Sequence, residues 1–258
     1  MSVIGQKRAC KGLEIKTGES MNSWKRRLLP VIFLMAICSS GLANELTVLG
    51  KTAQDAFQDK GVVDLLRAVI RRDANEADRL VKTGVNVNAA GYGGITPLLW
   101  MQFNKDKDAM TLLLELGANP NQRMMPGGSP VWLAAGAGNT DIVDLLLQHG
   151  ADPNMPIGAN SPLDEALMGE HLDCAELLLK HGADINFHDG PASIIGSATL
   201  VGRMDYVNWI LDHGYTYNLK LSRRLVEQSR PRLGQAEQKE KALARIDKLI
   251  AAGIGIAK

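Results

Sequence analysis

Apolar runs return along the chain at regular intervals: Leu112, Leu113 and Leu114; Leu145, Leu146 and Leu147; Leu177, Leu178 and Leu179; and Ile210 with Leu211. In the best-formed copy Ile142 and Val143 precede the leucines, which predicts a helix with a nearly continuous apolar face. Each run stops at a glycine that opens a short polar string. The strings are GVNVN from Gly84, GANPN from Gly117, GADPN from Gly150, GADIN from Gly182 and GYTYN from Gly214, spaced by 33, 33, 32 and 32 residues. A glycine at that point predicts a helix that ends in the left-handed conformation. Ahead of three runs, in constant phase, stand Thr96-Pro97-Leu98, Ser129-Pro130-Val131 and Ser161-Pro162-Leu163, with Ser193-Ile194-Ile195 as a degraded fourth. Thr or Ser before proline reads as an N-cap with proline at the first helical position, where a missing N–H costs nothing. The unit is thus a short helix A (Pro130 to Gly136), a turn at Gly138-Asn139, a helix B and a hairpin-like loop. Neither helix can bury its apolar face alone, so stability must come from stacking on neighbouring units.

This pattern resembles the ankyrin-repeat family, whose period is 33 and whose signature contains T-P-L-H-x-A. The resemblance is close over residues 61–221 and loose over 222–258. It implies an all-α fold, an ankyrin-repeat solenoid of stacked helix-turn-helix units with β-hairpin-like connecting loops. The expected division is a cap at 61–95, repeats at 96–128, 129–160, 161–192 and 193–221, and a C-terminal cap at 222–258. Residues 63–84 form the first helix pair, with Leu65, Leu66, Val69, Leu80 and Val81 inward. In the last cap, Leu221 to Gln228 fits a helix A and Gln235 to Ala252 a long helix B, joined through an extended Arg230-Pro231-Arg232. Residues 44–60 are a linker or a short leading helix.

The segment from Met21 has a different pattern. Lys25, Arg26 and Arg27 precede an apolar stretch from Leu28 to Cys38, broken only by Pro30. That is too short to span a bilayer and suits the apolar region of a secretory signal, with Gly41 and Ala43 as the small residues before a cleavage site. Residues 21–43 are therefore expected to be a signal peptide, residues 1–20 an over-called extension ahead of the true start, and the protein periplasmic. Cys38 raises lipidation as a lesser alternative, against which Ile37 occupies the place where a lipobox wants a small residue. Removal of the signal leaves no transmembrane anchor.

Charge now reads differently. The whole chain is +1, but residues 1–43 hold seven of the 29 Lys/Arg and two of the 28 Asp/Glu. Residues 44–258 therefore carry 22 basic against 26 acidic side chains, a net −4. A phosphate binder needs a basic excess, so nucleic acid is not an expected partner. Cys174 is the one cysteine beyond residue 43, which excludes a disulfide within that part.

Candidate chemistry is sparse, and neither a catalytic constellation nor a cofactor is expected. His149, His181 and His213 recur every 32 residues just before the helix-ending glycine, where a cation suits the helix dipole. His171 reads as structural and His188 as a hairpin-tip residue. Asp164 and Glu165 are adjacent on a helix and so do not face each other as an acid–base pair. Gly136-Ala137-Gly138 and Gly91-Tyr92-Gly93-Gly94 lack the strand-to-helix setting of a phosphate loop. The family's helix-A histidine is replaced by Leu99, Trp132, Asp164 and Gly196, which puts its usual hydrogen bond to the next loop in doubt.

The resemblance implies that hairpin tips and the exposed side of helix A make a concave protein-binding surface. Carried over by position, the partner-binding residues are Tyr92, Ile95, Phe103, Asn104, Met124, Met125, Ile157, Asn160, Met168, Asp189 and Leu200. A line of Tyr92, Phe103, Met125, Ile157, Met168 and Leu200 would be unusually apolar for a solvent face. The expected function is a non-catalytic periplasmic protein-binding scaffold. Exported bacterial proteins of similar pattern include immunity proteins that neutralise secreted lipase or phospholipase toxins, in type VI secretion for example, by occlusion. The alternative is a periplasmic accessory protein that binds and supports a stress or redox enzyme.

Overall fold

The computed structural model describes residues 47–48, 50–125, 127–158, 160–188 and 194–255. The segment of the expected signal, with Cys38, lies outside the described residues, as do Asp189, Ala192 and Ser193. The described residues form an all-α repeat solenoid with one short hairpin. Its strands are β1 (Thr47–Val48) and β2 (Lys51–Thr52), antiparallel, with Thr47 opposite Thr52. A four-residue helix follows, α1 (Ala53–Ala56), capped by Thr52 and Asp55 in a reciprocal capping box. Val48 and Phe57 drop into the core, so this leader is docked on the first repeat rather than a free linker.

Helix pairs then succeed one another: α2 (Lys60–Ile70) with α3 (Ala74–Lys82), α4 (Pro97–Phe103) with α5 (Lys107–Glu115), α6 (Pro130–Gly136) with α7 (Thr140–Gln148), α8 (Pro162–Met168) with α9 (Leu172–Lys180), α10 (Ile194–Leu200) with α11 (Met204–Asp212), and α12 (Leu219–Gln228) with α13 (Ala236–Ala251). The side chains of Thr96, Ser129 and Ser161 accept from the backbone N–H three residues on, as their Thr/Ser-Pro pattern requires. The first pair departs from the expected boundary: Asp59 caps α2, which starts at Lys60 and is longer than the other A helices. The last pair also starts early, because Asn218 at φ 40° caps α12.

Like packs on like between neighbours: α6 on α8, α8 on α10, α7 on α9 and α11 on α13. The core runs through every layer, from Leu65, Leu66 and Val69 through Leu98, Leu113, Leu146, Leu163 and Leu178 to Ile210, Ala242 and Ile246. Cys174 belongs to it, wholly buried, and burial pushes its thiol up to about 11.

The repeated polar string has a definite job at each position. In its third position Asn86, Asn119, Asp152 and Asp184 accept from the backbone N–H two residues later, at 2.8–2.9 Å, and so fix the turn. In its fifth position an asparagine reaches the next repeat. Asn121 donates to the Gly150 carbonyl at 2.9 Å and accepts from the Asp152 N–H at 2.8 Å. Asn88 and Asn154 do the same one repeat earlier and one later. Asn186 accepts from the Thr216 N–H, and at Asn218 the ladder ends because that side chain caps α12 instead.

The A–B turns carry a second regularity. Arg72, Lys105, Gly138, Glu170 and Gly202 all have φ between 57° and 72°. The extended Arg230-Pro231-Arg232 segment folds back on this row: the Arg232 N–H donates to the Gly202 carbonyl at 3.0 Å, and its guanidinium pairs with Glu170, which Arg203 also holds at 3.0 Å. Those two arginines, Arg232 first, hold the Glu170 carboxyl below the usual glutamate range.

Candidate protein-binding face

Each connecting loop folds back on itself. Gly91 N–H donates to the Ile95 carbonyl, Met124 N–H to the Gly128 carbonyl, and Ile157 N–H to the Asn160 carbonyl, at 2.8–3.0 Å. The tips then stack on one another. Met125 N–H donates to the Gly93 carbonyl at 2.8 Å, and Gly94 (φ 74°) sits so close that a Cβ there would stand 3.1 Å from the Met125 nitrogen. The Tyr92 and Met125 tips are thereby tied by a backbone hydrogen bond, with Lys51 Nζ 4.5 Å from the centre of the Tyr92 ring. A Cβ on Gly127 would make an ordinary 3.6 Å contact with the Ile157 side chain.

Exposure sorts the expected partner-facing residues. Five large apolar side chains are exposed among the described residues, and Tyr92 (57%), Met125 (74%) and Leu200 (66%) are three of them. Ile157 and Asn160 are half-buried, bridged to each other. Phe103 is half-buried against the core. Asn104 ends α4, its amide donating to the Trp100 carbonyl at 2.7 Å.

Three of the expected residues are not open to solvent. Met124 is 5% exposed: along an extended loop successive side chains point to opposite sides, so Met125 goes out and Met124 goes in. Ile95 is 1% exposed, because the Gly91–Ile95 closure turns it into the core just before Thr96 begins α4. Met168 is 8% exposed, its sulfur 3.7 Å from the Asn160 amide. In this structure these three lie beneath the face. The expected line of six apolar side chains is therefore interrupted.

The absent helix-A histidine has been replaced by other links. Asp164 accepts from the Ser161 hydroxyl at 2.7 Å and from Ser197 of the next repeat at 3.0 Å. Gln102 donates to the Pro130 carbonyl at 2.9 Å. Trp132 packs with its ring N–H buried and unpartnered. Burial raises the Asp164 carboxyl, against the lowering effect of its serine hydrogen bonds. Glu165 is 7% exposed and pushed up to about 7 by burial, with the like charge of Asp164 adding to it.

The histidines sit at structural positions. His149, His181 and His213 are the C-cap residues of α7, α9 and α11. The His171 ring lies so close to Gly138 and Gly169 that a Cβ at either would collide with it. His188 stacks on Tyr217 with ring centroids 3.7 Å apart, beside a cleft of about 570 Å³. Among the described residues no group of three or more His, Cys, Asp or Glu could hold a metal ion, and no helix is long and apolar enough to cross a membrane.

Sequence reasoning missed the asparagine ladder and the place of Glu165. Both were signalled by phase: the fifth position of the string holds Asn in every copy, and Gly136 stands where the neighbouring A helices end in Phe103, Met168 and Leu200. No curated protein matches the chain. A family model described as Ankyrin repeats (3 copies) does match, over residues 103–189; the chain carries ankyrin repeats, which make protein–protein interaction scaffolds and are typically non-catalytic.

Proposed function

We propose that the protein is a non-catalytic scaffold of the bacterial periplasm, and an immunity protein that neutralises a secreted lipase or phospholipase toxin by occlusion. The observation that carries the binding reading is the exposure of Tyr92, Met125 and Leu200, three large apolar side chains on hairpin tips and a helix-A end. Leaving them in water forfeits apolar burial that a partner would recover. The periplasmic setting rests on the basic and then apolar pattern of residues 21–43, and the toxin class on the resemblance to exported ankyrin-repeat immunity proteins.

The test is inhibition. The protein, added to the lipase encoded beside its gene, should abolish hydrolysis at one-to-one stoichiometry. A triple variant Tyr92→Asp, Met125→Asp and Leu200→Asp should keep its helical circular dichroism and lose inhibition. Full inhibition by that variant would refute the face. An adjacent gene for a catalase or peroxidase instead of a lipase would move the reading to the accessory-protein alternative.

A further inference from the structure

Phe103, Gly136, Met168 and Leu200 are the last residues of α4, α6, α8 and α10 and share one phase of the repeat. Three of them carry large apolar side chains; Gly136 carries none. The Glu165 side chain lies against that gap. A Cβ on Gly136 would stand 2.7 Å from Glu165 Cγ and 3.2 Å from its Oε1. Glu165 is more than nine-tenths buried, and its carboxylate has no hydrogen bond or ion pair from any described residue.

The surroundings make that carboxylate unusual. Asp164 beside it is satisfied by Ser161 and Ser197, so its partners are already committed. The helices packed against α8 are α6, α9 and α10. Neither α6 nor α10 contains a charged residue, and α9 contributes Asp173, Glu176 and Lys180. Among the described residues the one charge that acts on Glu165 is that of Asp164, of the same sign. On α6, one helical turn before Gly136, the buried Trp132 ring N–H is also unpartnered. A largely buried carboxylate without a partner is costly, and a cation brought to it offsets part of that cost.

A metal ion would need further ligands, and among the described residues no group of three or more acidic, His or Cys side chains is placed to hold one. A guanidinium fits better. It is planar, weakly hydrated and pairs with a carboxylate through two parallel hydrogen bonds, while its methylene stem suits apolar surroundings. We propose that Glu165, packed over Gly136, is the anchor for an arginine side chain of the protein partner. This rests on the reading that the A-helix and hairpin face binds a protein. Because burial holds the Glu165 carboxyl near neutrality, arginine binding releases a proton and strengthens as pH rises from 6 to 8.

The test uses N-acetylarginine methylamide as probe and N-acetylcitrulline methylamide, its uncharged isostere, as control. The full chain is titrated at pH 7.5 while the Trp132 indole N–H is followed by NMR. A saturable shift is expected with Kd on the order of tens of millimolar, as suits one side chain. Citrulline should bind about tenfold more weakly, and arginine binding at pH 5.5 should weaken by a similar factor. Glu165→Gln should lose the response, and so should Gly136→Ala, whose Cβ takes the space the Glu165 side chain occupies and displaces it. Equal shifts with both probes, no saturable shift with arginine, or a retained response in Glu165→Gln would each overturn the anchor. None of these outcomes touches the Tyr92, Met125 and Leu200 inhibition test, so the anchor and the scaffold reading can fail separately.

Discussion

Glu165→Gln should make the protein more stable at pH 8 and leave it nearly unchanged at pH 5. The carboxyl has an ordinary value of 4.5 when the chain is unfolded and about 7 in the fold, where burial and then the charge of Asp164 disfavour ionisation. Its folded value lies above its unfolded one. The stability it contributes is therefore fully present below about pH 4.5 and is lost as pH rises through 7. At ~1.4 kcal/mol for each pH unit separating the two values, the loss approaches about 3 kcal/mol by pH 8. Asp164, also raised by burial, pulls in the same direction. The carboxyls of Asp55, Glu76, Glu170 and Asp205 are lowered and act oppositely, but only at acid pH, below the ordinary carboxylate range.

Glutamine keeps the shape and cannot ionise, so the variant should lose this slope while every other titration is shared with the wild type. Urea unfolding at pH 5, 6.5 and 8, followed by far-ultraviolet circular dichroism and tryptophan fluorescence, gives the difference directly. The buried amide has its own desolvation cost, but that cost does not change with pH and cancels between the two ends. A wild-type minus variant difference that stays flat from pH 5 to 8 would show that Glu165 is solvated or paired in solution, and would refute the reasoning.

Other perturbations test the scaffold. Asn121→Ala removes both hydrogen bonds that tie one repeat's loop to the next and should cost about 1–3 kcal/mol in urea unfolding; a loss below a few tenths would mean the ladder is ornamental. Lys105→Gly should stabilise by about 1 kcal/mol, visible as a raised melting temperature, because an exposed lysine at φ 57° pays for a left-handed backbone that glycine adopts freely. Cys174 should resist a thiol reagent at pH 8 in the native protein and react fully in denaturant, since its thiol is buried and pushed up to about 11; rapid native labelling would contradict its place in the core.

Much of the fold was readable because each repeat states the same sentence several times. Pro130–Gly136 is the helix that Ser129-Pro130 and the following turn predict, residue for residue. The ends were harder. Nothing in the alternation of residues 44–60 announces a strand pair at Thr47–Val48 and Lys51–Thr52, because two residues are too few for a period to show. The early start of α12 at Leu219 depends on Asn218 taking φ 40°, a conformation asparagine tolerates and its capping bond selects, which no periodicity announces. The partner-facing set was readable in phase but not in direction. Phase places Met124 and Met125 on the same tip, and only the hairpin closure decides that one faces the core and the other the solvent.

The same distinction explains why Glu165 escaped notice as a residue of interest. Its position in the repeat is held by Trp100, Leu133 and Ser197 in the neighbouring copies, so period alone marks it as a packing site. A charged group at a packing site conflicts with the otherwise consistent logic of the stack, and such conflicts concentrate where a protein gives up stability for function. Here the conflict comes as a pair. Gly136 surrenders a side chain at the one place in its row where a neighbour's carboxylate needs room, and Glu165 surrenders solvation to lie there. Either residue alone would be a defect; a Cβ on Gly136 would expel the carboxylate, and a leucine at 165 would fill the gap and make the glycine ordinary. Their co-occurrence is what the proposed arginine anchor requires, and it sits in the row of helix ends that finishes at the exposed Leu200.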